Sequence, residues 1–129
     1  MDLGDSMFSG CSSLTNVNLD LTCLMWGYDM FRGSAITSFS KNVESLVEGT
    51  YMFDGCKELT SFTSNTPNLL EGSYMFRDSG LTTFTGDLSG LVCGVGMFEN
   101  TNLKINGILN VCNSLPDSNT QTINTIDLR

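Results

Sequence analysis

Hydrophobic and polar positions recur along the chain with a period of 22 or 23 residues, and the dipeptide Met-Phe marks each period. The Met of this pair stands at positions 7, 30, 52, 75 and 97, so the successive steps are 23, 22, 23 and 22 residues. A near-constant period of this length is typical of a solenoid, in which one supersecondary unit is copied along an axis. The sequence therefore predicts stacked coils of 22–23 residues.

A second apolar marker precedes each later Met by 13 residues, and it is Val17, Phe39, Phe62 or Phe84. The surrounding pattern, as in Leu59-Thr60-Ser61-Phe62-Thr63, predicts a short strand that pairs in parallel with its copies about 4.8 Å away. All variation in coil length falls in the loop after Met-Phe, which leaves the strands in register.

The residues next to the marker are predicted to face outwards, because side chains alternate between the two faces of a strand. They are small and polar in every repeat, and they form two columns: Asn16, Ser38, Ser61 and Thr83 before the marker, and Asn18, Ser40, Thr63 and Thr85 after it. These eight residues are the first candidate ligand face.

Two further columns predict the corners of each coil. An Asp or Asn follows the marker by three residues and is expected to bond backbone amides of the next turn; the column is Asp20, Asn42, Asn65 and Asp87. A Gly follows by ten residues, which suggests a positive φ or a very close approach; this column is Gly27, Gly49, Gly72 and Gly94. A second extended stretch is predicted from Leu69 into Met75-Phe76.

The ends of the chain differ from the repeats. Residues 1–104 contain the repeats and begin in the middle of one. Residues 105–115 have apolar positions near a 3.6 period that predict a short helix, and residues 122–128 resemble a last strand. We therefore expect 105–129 to be a capping coil. The predicted fold is one mainly β domain, a solenoid of about five coils with short parallel strands, closed by a C-terminal helix and strand.

The combined unit, clearest in Tyr51-Met52-Phe53-Asp54-Gly55-Cys56 and the following Leu59-Thr60-Ser61-Phe62, resembles the BspA-like leucine-rich repeats of bacteria. The resemblance covers roughly residues 4–104. It departs at Ser34, Ser79 and Thr101, where the family's Gly-Cys pair has Cys. The resemblance implies a surface or secreted adhesion module, extracellular in location, that binds rather than catalyses.

Charge narrows the choice of partners. The formal net charge is −8, with six Lys plus Arg and no His, so the basic footprint that nucleic acid requires is missing. No window holds the roughly 20 apolar residues of a membrane span, so we expect no membrane insertion. The first residues also lack the basic and apolar regions of a secretory signal, which is the pattern expected of a fragment.

Candidate chemistry is sparse. Without His, a Ser or Cys nucleophile has no evident base, so we expect no enzyme, catalytic residue, metal or cofactor. Glu48 and Glu71 share a column, and two solvated surface carboxylates are favoured over an acid/base pair or a cation site. Cys11 and Cys56 share another column two coils apart, too distant for a disulfide, and are expected to be small buried hydrophobes. Cys93 is expected to face solvent.

Two function hypotheses follow. The first is a non-enzymatic recognition or adhesion module that binds a protein or glycan through the rigid Ser/Thr/Asn face. Trp26 is a further candidate ligand residue, because an exposed Trp can anchor a partner; alternatively, it covers the open first coil. The second hypothesis is a structural assembly or fibre subunit, bacterial or phage, that self-associates through the uncapped N-terminal edge.

Overall fold

The computed structural model describes residues 3–103, which contain three strands and no helix. The strands are β1 (Ser38–Phe39), β2 (Ser61–Phe62) and β3 (Thr83–Phe84). They form a parallel sheet in the order β1-β2-β3, with Phe39, Phe62 and Phe84 in register. The predicted parallel strands and their alignment on the marker are confirmed, although each strand is only two residues long.

A second parallel ladder runs along another side of the coils. It consists of single bridges that join Leu3 to Trp26, Trp26 to Glu48, Glu48 to Glu71, and Glu71 to Cys93. Each step advances by one repeat, so the ladder records the stacking of neighbouring coils. The one-residue differences in loop length are absorbed before this ladder, since its register follows the Met-Phe period.

The Met-Phe pairs lie inside tight turns, and the prediction of an extended stretch running into Met75-Phe76 is wrong. Met75 N donates to Gly72 O (3.0 Å) and Ser79 N donates to Phe76 O (3.2 Å). Tyr74, which lies between Gly72 and Met75, has a φ of 57°. Such i→i+3 bonds with a left-handed residue reverse the chain within a few residues, so the second ladder contributes one bridge per coil rather than a strand.

The core is organised around two columns of phenylalanine. The rings that follow Met stack from coil to coil with centroids 5.4–5.6 Å apart, and the rings of the marker column stack in the same way at 5.5–5.6 Å. The two columns meet edge to face, as Phe62 does with Phe76 at 4.9 Å. Both geometries are favourable for aromatic pairs. Met and Phe of repeats two to five are buried, as predicted.

The glycine column marks a close approach. A Cβ on Gly49 would lie 3.1 Å from Sδ of Met75 in the next coil, and one on Gly27 would lie 3.0 Å from Sδ of Met52. Of the two explanations that the sequence left open, close approach is therefore the correct one for these glycines. Each coil leaves this position bare so that the Met of the following coil can fill it.

The Asp/Asn column turns corners as predicted at three positions. The Oδ1 atoms of Asp20, Asn42 and Asp87 accept hydrogen bonds from the backbone N–H two residues later, at 2.9–3.0 Å. The same bonds lower the pKa of Asp20 and of Asp87, because the backbone N–H of Thr22 and of Ser89 stabilises the carboxylate.

Charged side chains are also paired between coils. Asp54, nearly buried, lies 3.1 Å from Nε of Arg32 in the preceding coil and 3.1 Å from Nη2 of Arg77 in the following one. The hydrogen bond to Asp54 raises the pKa of Arg77. The Arg77 guanidinium also lies 4.7 Å from the Tyr74 ring, and the Tyr51 and Tyr74 rings stack at 5.2 Å. These contacts fasten three consecutive coils at one corner.

The predicted C-terminal cap, with its helix in residues 105–115 and strand in 122–128, lies outside the described residues. The division into a repeat region of residues 1–104 and a capping coil of 105–129 stays a prediction.

Candidate functional site

The polar face is built by the three-stranded sheet and the residues on either side of its strands. The column before the marker includes Ser38, Ser61 and Thr83, of which Ser61 is half-buried and the other two are exposed. The column after the marker is exposed throughout, from Asn18 to Thr85. All eight polar residues that the sequence assigned to this face therefore have side chains that solvent reaches.

Backbone hydrogen bonds hold these side chains in rows. Thr63 N donates to Phe39 O (3.0 Å) and Thr85 N donates to Phe62 O (3.1 Å), so each donor is used by the preceding coil. A side chain in such a ladder has its neighbour in the next coil at about 4.8 Å. The side-chain hydroxyl and amide groups are therefore available to a ligand at fixed spacing. A ligand with repeated polar groups can form hydrogen bonds to several of them at once.

A third polar column was missed by the sequence reasoning. It lies two residues before the marker, every member is an exposed threonine, and the four members are Thr15, Thr37, Thr60 and Thr82. Their hydroxyls can also form hydrogen bonds between coils, since Thr82 Oγ1 donates to Thr60 O of the preceding coil at 3.2 Å. The identity of this position in all four repeats was a visible signal. A strict alternation of faces had hidden it, because alternation assigns this position to the core.

Trp26 does not share a ladder with the polar face. It is 41% exposed and belongs to the second ladder, bridged to Leu3 on one side and Glu48 on the other. The structure therefore separates the nine candidate ligand residues into eight on the strand face and one elsewhere. Whether any of them contacts a ligand stays a prediction.

Glu48 and Glu71 are bridged in the second ladder, but their carboxylates are already occupied. Oε1 of Glu48 accepts a hydrogen bond from Thr50 N at 2.7 Å, and Oε1 of Glu71 accepts one from Ser73 N at 2.9 Å and another from the Ser73 hydroxyl. Each carboxylate thus closes a turn two residues later. Within residues 3–103, no group of three or more His, Cys, Asp or Glu side chains is placed to hold a metal ion.

The cysteines need two corrections. Cys56 is buried as predicted, and its thiol donates to Phe31 O at 3.0 Å; burial raises the pKa of this thiol, since the thiolate would lose its hydration. Cys11, in the same column, is exposed, so the expectation that it is buried is wrong; the Cys56 thiol contacts Ser34 and Phe31 of the preceding coil, and no described coil covers Cys11 in this way. Cys93 is buried beside Val95 and Tyr74, so the expectation that it faces solvent is wrong.

Comparison with known proteins identifies the repeat. A family model described as "BspA type Leucine rich repeat region" matches residues 1–104 in six copies. No curated protein and no solved structure matches the chain. Among residues 3–103 there is also no helix with the length and hydropathy needed to cross a membrane.

Proposed function

The chain belongs to the BspA-type leucine-rich-repeat family, and from this premise we propose that it is a recognition or adhesion module of a larger bacterial surface or secreted protein. Leucine-rich-repeat domains generally mediate protein binding, and BspA-type repeats typically occur on bacterial surface proteins. The family is generally non-enzymatic. In this proposal the chain acts outside the cell, without catalysis or a cofactor.

The observation that carries this proposal is the repeated polar face. Its two strand-flanking columns and the threonine column each present one small hydroxyl or amide group per coil, while the backbone donors beside them are used between coils. Binding to such a face costs little ordering entropy, because the side chains are short and the sheet is fixed. An extended protein segment or a glycan, each with regularly spaced polar groups, is the ligand class that suits it.

A binding screen tests this proposal. The chain is screened against an array of purified extracellular-matrix proteins and glycans, and the hits are repeated with the variant Ser61→Lys, Thr63→Lys. We expect binding to fall by about tenfold or more, since two long cationic side chains would occupy the centre of the face. The variant Ser12→Lys, Ser13→Lys is the control, because it adds the same charge at exposed positions in the loop after the first Met-Phe.

Two results would contradict the proposal. One is the absence of any binder above background across the array. The other is a binder whose affinity falls equally in the face variant and the loop control, because that result would show a response to net charge rather than to the face.

A structural assembly or fibre subunit is the second candidate, and the exposed first coil favours it. Leu3 is 58% and Met7 is 44% exposed, and Phe8, Leu14 and Val17 line an open groove on the same coil. Exposed apolar side chains beside unpaired strand edges promote association between chains. Self-association through this edge would thus build a larger assembly.

A further inference from the structure

One apolar side chain per coil lies along the second ladder, half-buried in the first two members of the row and exposed in the last two, and we call this row the apolar stripe. It consists of Met25, Val47, Leu70 and Val92. Backbone hydrogen bonds of 2.9 Å join each member to the next coil's member: Val47 N donates to Met25 O, Leu70 N to Val47 O, and Val92 N to Leu70 O. Leu70 is 45% and Val92 is 48% exposed. The stripe is therefore a continuous apolar row across four coils.

The stripe forms one wall of a shallow groove. Met25, Val47 and Leu70 line it together with Ser45, Pro67, Asn68 and Gly90, and its volume is about 590 Å³. The amide of Asn68 is held in place by a hydrogen bond to Glu44 O at 2.7 Å. An ordered apolar row with a polar rim is the usual form of a protein-binding surface.

The surroundings of the stripe are acidic. Glu48 and Glu71 follow directly after Val47 and Leu70, and Glu44 directly precedes Ser45 of the groove; we call these three glutamates the acidic rim. In every coil the segment from the Asp/Asn corner to the Met-Phe pair lacks Lys and Arg altogether; these segments are residues 20–31, 42–53, 65–76 and 87–98. A partner that covers the stripe is therefore selected for positive charge at its polar edges.

The spacing of the stripe decides between an extended and a helical partner. Neighbouring coils in a hydrogen-bonded ladder are about 4.8 Å apart. Alternate side chains of an extended strand repeat at about 6.6 Å, so over the three steps of the stripe the mismatch accumulates to more than one whole coil spacing. Successive turns of an α-helix repeat at 5.4 Å, so about 1.8 Å of mismatch accumulates over the three steps of the stripe. Flexible side chains such as Met25 and Leu70 absorb an offset of this size.

We propose that the apolar stripe binds a cationic amphipathic α-helix of a partner protein, laid along the solenoid axis with one helical turn per coil. Apolar residues of the helix pack on Met25, Val47, Leu70 and Val92, and Lys or Arg on both flanks face the acidic rim. Grooves that accept the apolar face of a helix are an established mode of recognition. This surface lies on the second ladder, so the inference does not depend on the polar strand face.

The test uses a model peptide and the intrinsic fluorescence of the chain. The probe is an acetylated, amidated peptide of about 15 residues, made of Leu and Lys with Leu at helical spacing, which spans about four turns. Trp26 is the single tryptophan and follows Met25 directly. We expect a saturable blue shift of its emission. A peptide of the same composition with alternating Leu and Lys should bind at least about tenfold more weakly, and a Leu/Glu helix should not bind.

Variants of the chain locate the site. Leu70→Lys and Val92→Lys should each weaken binding of the helical peptide by about tenfold or more, since each places a charge under the apolar face of the helix. Thr63→Lys, an exposed position on the strand face, should change it by less than about twofold. Thermal melts of all variants check the fold, and Leu70→Ser replaces Leu70→Lys should the latter unfold.

Several results would overturn the inference. They are the absence of saturable binding, equal binding of the alternating peptide, or unchanged affinity in both stripe variants. Sedimentation velocity tests whether a second copy of the chain occupies the stripe instead. That is the conclusion if the free chain associates and Leu70→Lys makes it monomeric.

Discussion

At the residue scale, two positions in each coil have left-handed backbone conformation, and the repeats fill them differently. The position before Met has a φ of 56–62° whether it is Ser6, Asp29, Tyr51, Tyr74 or Gly96. The position three residues after Met is Gly10, Gly33, Gly55, Asp78 or Asn100, with a φ of 57–76°. A non-Gly residue in this region costs energy, so the tight turns around Met-Phe are maintained by the packing that they enable.

At Gly33 the energetic cost of a left-handed backbone can be measured without a steric clash. Its φ is 71°, and a Cβ there would meet nothing closer than Gly10 Cα at 3.9 Å. Gly33→Ala should therefore lower the free energy of unfolding by about 1–2 kcal/mol, through the left-handed conformation alone. Chemical denaturation measures the change, and Gly33→Asn should recover part of the loss. Equal stability of the glycine and alanine proteins would contradict the assigned backbone conformation.

Asp54 belongs to a column of residues whose charges alternate in sign from coil to coil. Aligned positions two residues after Met read Ser9, Arg32, Asp54, Arg77 and Glu99, so charge alternates from the second coil to the fifth. Alternation of this kind favours the native order of coils, because a shift by one coil would place charges of the same sign together. The sequence contains this pattern, but only the structure shows that Asp54 is nearly buried between two guanidinium groups.

At the scale of the element, the coil is the unit, and the phenylalanine columns couple each coil to both neighbours. Phe53 contacts four other rings, those of Phe31, Phe39, Phe62 and Phe76. Phe8, at the same position of the first coil, is half-buried and stacks on Phe31. Equivalent residues thus differ in the number of coils that cover them.

Phe53→Ala should lower the free energy of unfolding by about 3–5 kcal/mol, the range for truncating a fully buried Phe. Phe8→Ala, the same change at the equivalent position, should cost less than about half of that, because the lost surface is already partly hydrated. Urea denaturation followed by circular dichroism compares the two. Equal losses would show that burial of the column does not increase towards the middle coils.

At the scale of the whole molecule, the described coils present surfaces of different chemistry on one rigid stack. The strand ladder carries hydroxyl and amide groups, the second ladder carries the acidic rim and the apolar stripe, and the first coil carries exposed apolar side chains. Because every surface is generated by the same repeat, a ligand that matches one coil is offered several equivalent contacts along the axis.

The first coil leads to a prediction about assembly. Sedimentation velocity over a range of concentrations should show weak self-association that decreases in the variant Leu3→Ser, Met7→Ser, because the two changes remove exposed apolar surface. Thr85→Lys, on the strand face, is the control and should leave the association unchanged. A chain that stays monomeric at every concentration would remove the support for an assembly function.

Much of the fold could be predicted because the repeat itself supplies an alignment. If the coils stack, equivalent positions such as Phe39, Phe62 and Phe84 must lie next to each other, and in the structure they are paired in register. The eight polar residues of the strand face followed from the same argument and are accessible. The threonine column and the apolar stripe did not follow from it. In both, two successive N–H groups bond one carbonyl of the preceding coil, as those of Thr82 and Thr83 bond Thr60 O, so strict two-residue alternation no longer describes which way a side chain points.

The sequence by itself determined the period, the register of the strands, the inward Met-Phe pairs of the later repeats and the family, because these depend on which positions are equivalent. Only the tertiary structure decided which equivalent residues are covered. Cys93 shares a column with the half-buried Glu71 and is buried, while Cys11 shares a column with the buried Cys56 and is exposed. Burial depends on the side chains of adjacent coils and on the coil's place in the stack, and a single repeat contains neither.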